Sequence, residues 1–300
     1  MRALGLGAAL TAVATPALAH GAEAATQWTL DPLILAPLAL SLVVFAAGWM
    51  RLRRRSGHGA GALSRRGLLF AAGWLVLAGA VISPLHKAGE QSFTAHMLEH
   101  ELMMLVAAPL LVLARPMAIM LWALPAGGRQ LMAALARAAP ARWAWKAAVD
   151  PVLATLAQAA ALWVWHAPAL FDRALSSVGW HIAQHLSFLV SALLFWTAVL
   201  PGRHLRPAVA VLCLFATSVV SGALGAMMAF AQSPWYAGYV RLGLAPLGLS
   251  PLEDQQLAGL LMWVPGGLVH ALAALYAMSR LLRPPAAEAK VAEAAYGARS

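Results

Sequence analysis

The chain has 300 residues, of which 62% are hydrophobic and only 11% charged, with a formal net charge of +10. Its apolar residues come in long runs instead of a 3.6 or 2.0 period, which excludes an ordinary soluble domain and predicts an all-α, polytopic helical bundle in a membrane. One cysteine, Cys213, lies inside an apolar run, so neither an intrachain disulfide framework nor a thiolate metal cluster can be built.

In chain order, the opening MRALGLGAALTAVATPALAHG joins one arginine, a short apolar stretch and the small-x-small site Ala17-Leu18-Ala19. That pattern predicts a signal peptide over 1–19. Cleavage there would make His20 the new N-terminus, whose amine and imidazole together can chelate a divalent copper ion. Seven spans of about 20 apolar residues follow, predicted at 32–50, 67–85, 95–114, 147–166, 181–200, 208–230 and 258–279. They define a membrane domain over 20–283, followed by an Ala-rich, loosely ordered tail over 284–300.

Cytoplasmic loops retain Lys and Arg. With the N-terminus outside, seventeen Lys and Arg fall on the inner side, against only Lys87, Arg173 and Arg241 on the outer. The expected setting is the bacterial inner (plasma) membrane, crossed several times. The positive charge then reflects topology and contact with the lipid bilayer, and implies no nucleic-acid partner. Within the sixth span, SGALGA at 221–226 spaces small residues four apart, which permits close helix approach.

On this topology the histidines gather. His86, His96, His100, His166, His181 and His185 lie outside or in the outer turns of spans. His96/His100 and His181/His185 are i,i+4 pairs, each placing two imidazoles on one helix face. His166 closes the fourth span at nearly the same level, so five imidazoles from three helices can meet in one layer. Met103 and Met104 continue the His96/His100 face, and Met262 lies in the outer third of the seventh span. Imidazole with thioether and no thiolate suits copper, above all the monovalent ion. The candidate metal ligands are therefore His96, His100, His166, His181, His185, Met104 and Met262, with His20 or His86 passing the ion in. Glu99 and Glu101 are candidates to orient the imidazoles, or else rim charges. Asp254 stands where a helix N-cap would, and His270 lies too deep for the layer.

HMLEH at 96–100 matches the H-x-x-E-H signature of inverted zinc proteases. An apolar span offers neither the further ligand nor the water-filled cleft that such chemistry needs. No catalytic residues are assigned, and the protein is expected not to be an enzyme.

HMLEHELMMLVAAPLLVLARP, LWVWHAPALFDRAL, HIAQHLSFLVSALLFW and DQQLAGLLMWVPGG occur in that order. Together they resemble the CtaG-like family of multispanning cytochrome c oxidase assembly proteins, over about Leu30 to Leu282. The resemblance implies a metallochaperone-like assembly factor whose partners are haem-copper oxidase subunits and whose cargo is copper. It also implies that Pro265-Gly266-Gly267 interrupts the last helix. The role of the histidines as ligands rests on their depth and spacing. Three alternatives stay open: a b-type cytochrome with haem held between histidines of the third and fifth spans, a copper importer, and a scaffold without metal.

Overall fold

Several helices start the same way, with a side-chain acceptor followed by proline. Asp31 Oδ1 accepts the Leu33 N–H at 2.8 Å, Asp150 Oδ1 accepts those of Val152 and Leu153 at 3.0 Å each, and Ser83 Oγ accepts that of Leu85 at 3.2 Å. Each cap satisfies an otherwise unpaired first-turn donor, and the next residue, Pro32, Pro151 or Pro84, fits because the first helical position needs no N–H partner.

A computed structural model describes residues 27–55, 59–200 and 207–281. The expected signal peptide, His20 and the tail lie outside the described residues. Helices α1 (Pro32–Arg53), α2 (Ala60–Ile82) and the short α3 (Pro84–Gly89) lead to α4 (Phe93–Glu101). The path of α4 continues through a π-helical segment, Leu102–Ala107, into α5 (Ala108–Ala114), and the three form one 22-residue span. Next come α6 (Pro116–Met120), a 3-10 turn, α7 (Ala126–Arg137), α8 (Ala139–Ala148), α9 (Pro151–Trp165) and α10 (Pro168–Ser176). Then follow α11 (Val178–Val199), α12 (Pro207–Ala229), α13 (Ala237–Leu242) and α14 (Pro251–Leu281). Among the described residues there is no strand, and six helical paths are long and apolar enough to cross a bilayer. Helices α8 and α9, bent by 63°, supply a seventh if they count as one span. The fold is an all-α polytopic bundle.

The predicted fourth span is where sequence and structure differ most. Residues 147–150 sit at the bend, because Asp150 and Pro151 start a new helix there. Helix α8 buries no side chain and leaves Trp143 and Trp145 exposed, a ribbon of apolar and basic residues at the arginine-rich end of the bundle. At that end Arg51 Nη1 donates to the carbonyls of Trp122, Ala123 and Leu124, tying α1 to the 3-10 turn.

The small residues at 221–226 do mark a close approach. A Cβ on Gly225 would stand 2.8 Å from the Gly259 carbonyl oxygen, so α12 and α14 touch backbone to backbone there. The expected break at Pro265-Gly266-Gly267 does not occur: α14 runs through them. In a bilayer core a helix that stays closed leaves the fewest backbone groups without partners.

Asp254 caps a helix other than its own. It lies in the first turn of α14, yet its carboxylate accepts the Phe93 N–H at 2.6 Å, the Thr94 N–H at 3.2 Å and the Ser92 hydroxyl at 2.9 Å. The histidine-bearing α4 is thereby fixed at its start to the last span.

Candidate metal centre

Three elements bring histidines to one end of the bundle: α3 carries His86, α4 carries His96 and His100, and α11 carries His181 and His185. The i,i+4 spacing stacks each pair along its helix, with ring centroids 4.4 Å apart for His96 and His100 and 4.3 Å for His181 and His185. Across the helices, His100 and His185 rings lie 5.0 Å apart, His96 and His181 5.5 Å, and His86 and His181 5.2 Å.

Two overlapping triads result. One ligand atom each from His86, His181 and His185 lies within 4.8 Å of the others, and the same holds for His96, His100 and His185. His185 belongs to both. The first triad opens on a groove of about 510 Å³ walled by α1, α2 and α11, with Met103 also lining it. The second is shut away: His96 is 0% and His100 2% exposed, against the rings of Phe171 and Phe188.

Hydrogen bonding separates the triads further. His181 Nε2 and His185 Nε2 share a bond at 3.0 Å, and Glu99, fully buried, accepts from His86 Nδ1 at 2.8 Å. Glu99 thus orients an imidazole, as one of its two sequence readings held, and leaves His86 Nε2 turned away from the carboxylate. His86 lies outside the spans. Burial acts to lower its pKa, but the Glu99 hydrogen bond and charge outweigh that and hold it above the ordinary value. By contrast, the four ring nitrogens of His96 and His100 are buried with no hydrogen bond within 3.5 Å, and the polar group beside His96 is the Gln184 amide, itself buried and unpartnered at that distance. Each such group costs about 1–3 kcal/mol relative to a satisfied one, and a neutral imidazole always offers one lone pair.

The remaining expected ligands fall elsewhere. His166, just past α9, donates from Nδ1 to the Leu162 carbonyl at 2.7 Å and turns Nε2 toward the Met97 sulfur at 3.4 Å. It adjoins the layer but belongs to neither triad. Met104 lines a separate, deeper cavity with Glu101 and His270, while Met262 is 2% exposed in the core. The π segment after Glu101 winds more loosely than an α-helix and changes which residues share a face. Thus Met103 and not Met104 opens on the histidine groove. Sequence reasoning left out Met97 and gave His86 only a passing role. The signal for His86 was the Ser83-Pro84 helix start, which folds it back over α4.

The fold defines a multi-pass helical membrane protein with a layer of closely packed, largely buried histidines at one end. No curated protein and no solved structure matches the chain in comparison. Residues 43–284 match the model for the cytochrome c oxidase caa3 assembly factor family, and the chain belongs to that family.

Proposed function

We propose that this protein assists assembly of cytochrome c oxidase by holding copper in its histidine layer and passing it to an oxidase copper centre, without catalytic turnover. The observation that carries the reading is the buried pair His96 and His100, whose four ring nitrogens have no hydrogen bond within 3.5 Å and adjoin His185. A lone pair in a dry site is most simply satisfied by a cation, and three imidazoles within ligand distance suit a first-row metal. Such triads accept zinc as well as copper. The family membership and the nearby thioethers of Met97 and Met103 favour copper, in the monovalent state for storage.

The copper is cargo. His86, His181 and His185 receive it from the groove, and His96 and His100 take it inward through the shared His185. A histidine layer in the outer leaflet of a bacterial inner membrane would hold the ion near the depth at which an oxidase copper site must be filled, avoiding transfer of a bare cation through lipid. The crowding of the rings, with centroids 4.3 to 6.1 Å apart, favours a single ion over a haem, which needs an open slot between two axial imidazoles.

The test is elemental analysis for copper and zinc on detergent-purified protein, with an optical spectrum of the same sample. Bound copper, no Soret band, and loss of the histidine layer's share of that copper in a folded His100→Ala/His185→Ala variant are expected. A Soret band with little copper would overturn the reading and make the histidines haem ligands.

A further inference from the structure

A second set of buried polar groups lies beyond the histidine layer. Where α4 gives way to the π segment, a cavity of about 20 Å³ is lined by Glu101, Met104, Gln158, Thr217, Gly266 and His270, among others. That is room for roughly one water or one small ion. Glu101 Oε2, Gln158 Oε1, Thr217 Oγ1 and His270 Nε2 are all buried without a hydrogen-bond partner. Gln158, Thr217 and His270 are 6%, 5% and 2% exposed.

The walls hold these groups in place. His270 Nδ1 donates to the Gly266 carbonyl at 2.8 Å, so in the neutral ring Nε2 carries a lone pair. The Trp196 ring lies parallel to that of His270, at 3° and 5.9 Å, and its Nε1 donates to the Met104 carbonyl at 2.8 Å. Gly266 gives Glu101 its space, since a Cβ there would stand 3.2 Å from Glu101 Oε2. The π segment that begins beside Glu101 is a distortion often found at functional sites.

The chemistry of the set is one-sided. A carboxylate oxygen, an amide oxygen and an imidazole nitrogen all accept, and one hydroxyl supplies one proton. Such a set calls for a positive charge. Glu101 is itself only partly buried, but the cavity has no room for a solvated ion, and there a single positive charge balances its carboxylate, whereas a divalent ion would leave a net charge. The imidazole and the thioether select a soft ion over sodium or potassium.

We propose that this cavity is a second binding site for monovalent copper, with Glu101 as counter-charge and His270 and Met104 as the soft ligands. It rests on the reading of the histidine layer as a copper holder and gives the ion a station deeper in the bundle.

The experiment loads the full-length protein in detergent with copper(I) under anaerobic reducing conditions, then removes loose metal with a chelator. The His100→Ala/His185→Ala variant is expected to keep a residual copper whose X-ray absorption shows a sulfur neighbour. Met104→Leu, a nearly isosteric change, should abolish the sulfur signal, and Glu101→Gln with His270→Gln should remove the residual copper. A folded cluster variant bare of copper would overturn the second site while leaving the histidine layer standing. So would residual copper indifferent to all three cavity substitutions, or displaced by excess sodium. Absence of copper from the parent protein would instead bring down the reading of the histidine layer, and this site with it.

Discussion

The carboxylate of Asp254 and the backbone N–H of Phe93 are 2.6 Å apart, joining the first turn of the last span to the first turn of the span that carries His96 and His100. Asp254→Ala leaves the Phe93 and Thr94 N–H groups without this acceptor, a loss of about 1–3 kcal/mol. Asp254→Asn, which keeps one acceptor oxygen, loses less. Thermal unfolding of the metal-free protein in detergent measures both, and equal midpoints for Asp254→Ala and the parent would sink the capping argument.

Glu99 fixes His86 through a buried 2.8 Å hydrogen bond. Glu99→Gln removes the charge and keeps the size, so the fold should persist while copper affinity falls by roughly 10- to 100-fold, the usual effect of losing a group that orients a ligand. Competition against a chelator of known affinity reads this directly.

The raised pKa of His86 gives a pH dependence of definite sign. The folded state binds this proton more tightly than the unfolded chain, in which histidine titrates near about 6.5. The resulting stabilisation is complete below that pH and fades as pH rises through the folded value. The metal-free protein should lose stability over that rise, and His86→Asn should flatten the profile. Copper, which competes with the proton, should bind more tightly over the same rise.

His185 is common to both triads, and His166 belongs to neither. His185→Gln is therefore expected to strip copper from the whole layer, and His166→Gln to leave most of it. Metal analysis that ranked the two variants in the opposite order would move the centre toward the His166–Met97 pair.

A Cβ on Gly259 would meet the Gly225 carbonyl oxygen at 2.5 Å and the Ala229 nitrogen at 2.6 Å. Gly259→Ala must push α12 and α14 apart, at a cost of about 1–3 kcal/mol. An unchanged thermal midpoint would mean that the two helices do not meet there.

Much of the fold was legible because a bilayer imposes length and apolarity on each crossing, and the i,i+4 histidine pairs declare a shared helix face wherever they stand. What stayed hidden depends on how segments turn. His86 joins the layer only because Ser83 and Pro84 end α2 and start a new helix, and Met97 faces His166 only because α4 and α9 are neighbours. Asp254 reads as a cap from its residue type, but which helix it caps is a matter of tertiary arrangement. The displacement of Met104 follows from a π segment, for which no residue pattern in LMMLVA gave notice.

That segment amounts to one surplus residue wound into a helix. Were Leu102–Ala107 to tighten into regular α-helix with every residue kept, everything after it would turn by about 100° relative to His96 and His100 and advance by about 1.5 Å. Trp196 would lose its carbonyl partner, and the face that now floors the histidine layer would swing toward a different neighbour. The relation between the two halves of this span is thus an angular setting, kept by one residue of chain length.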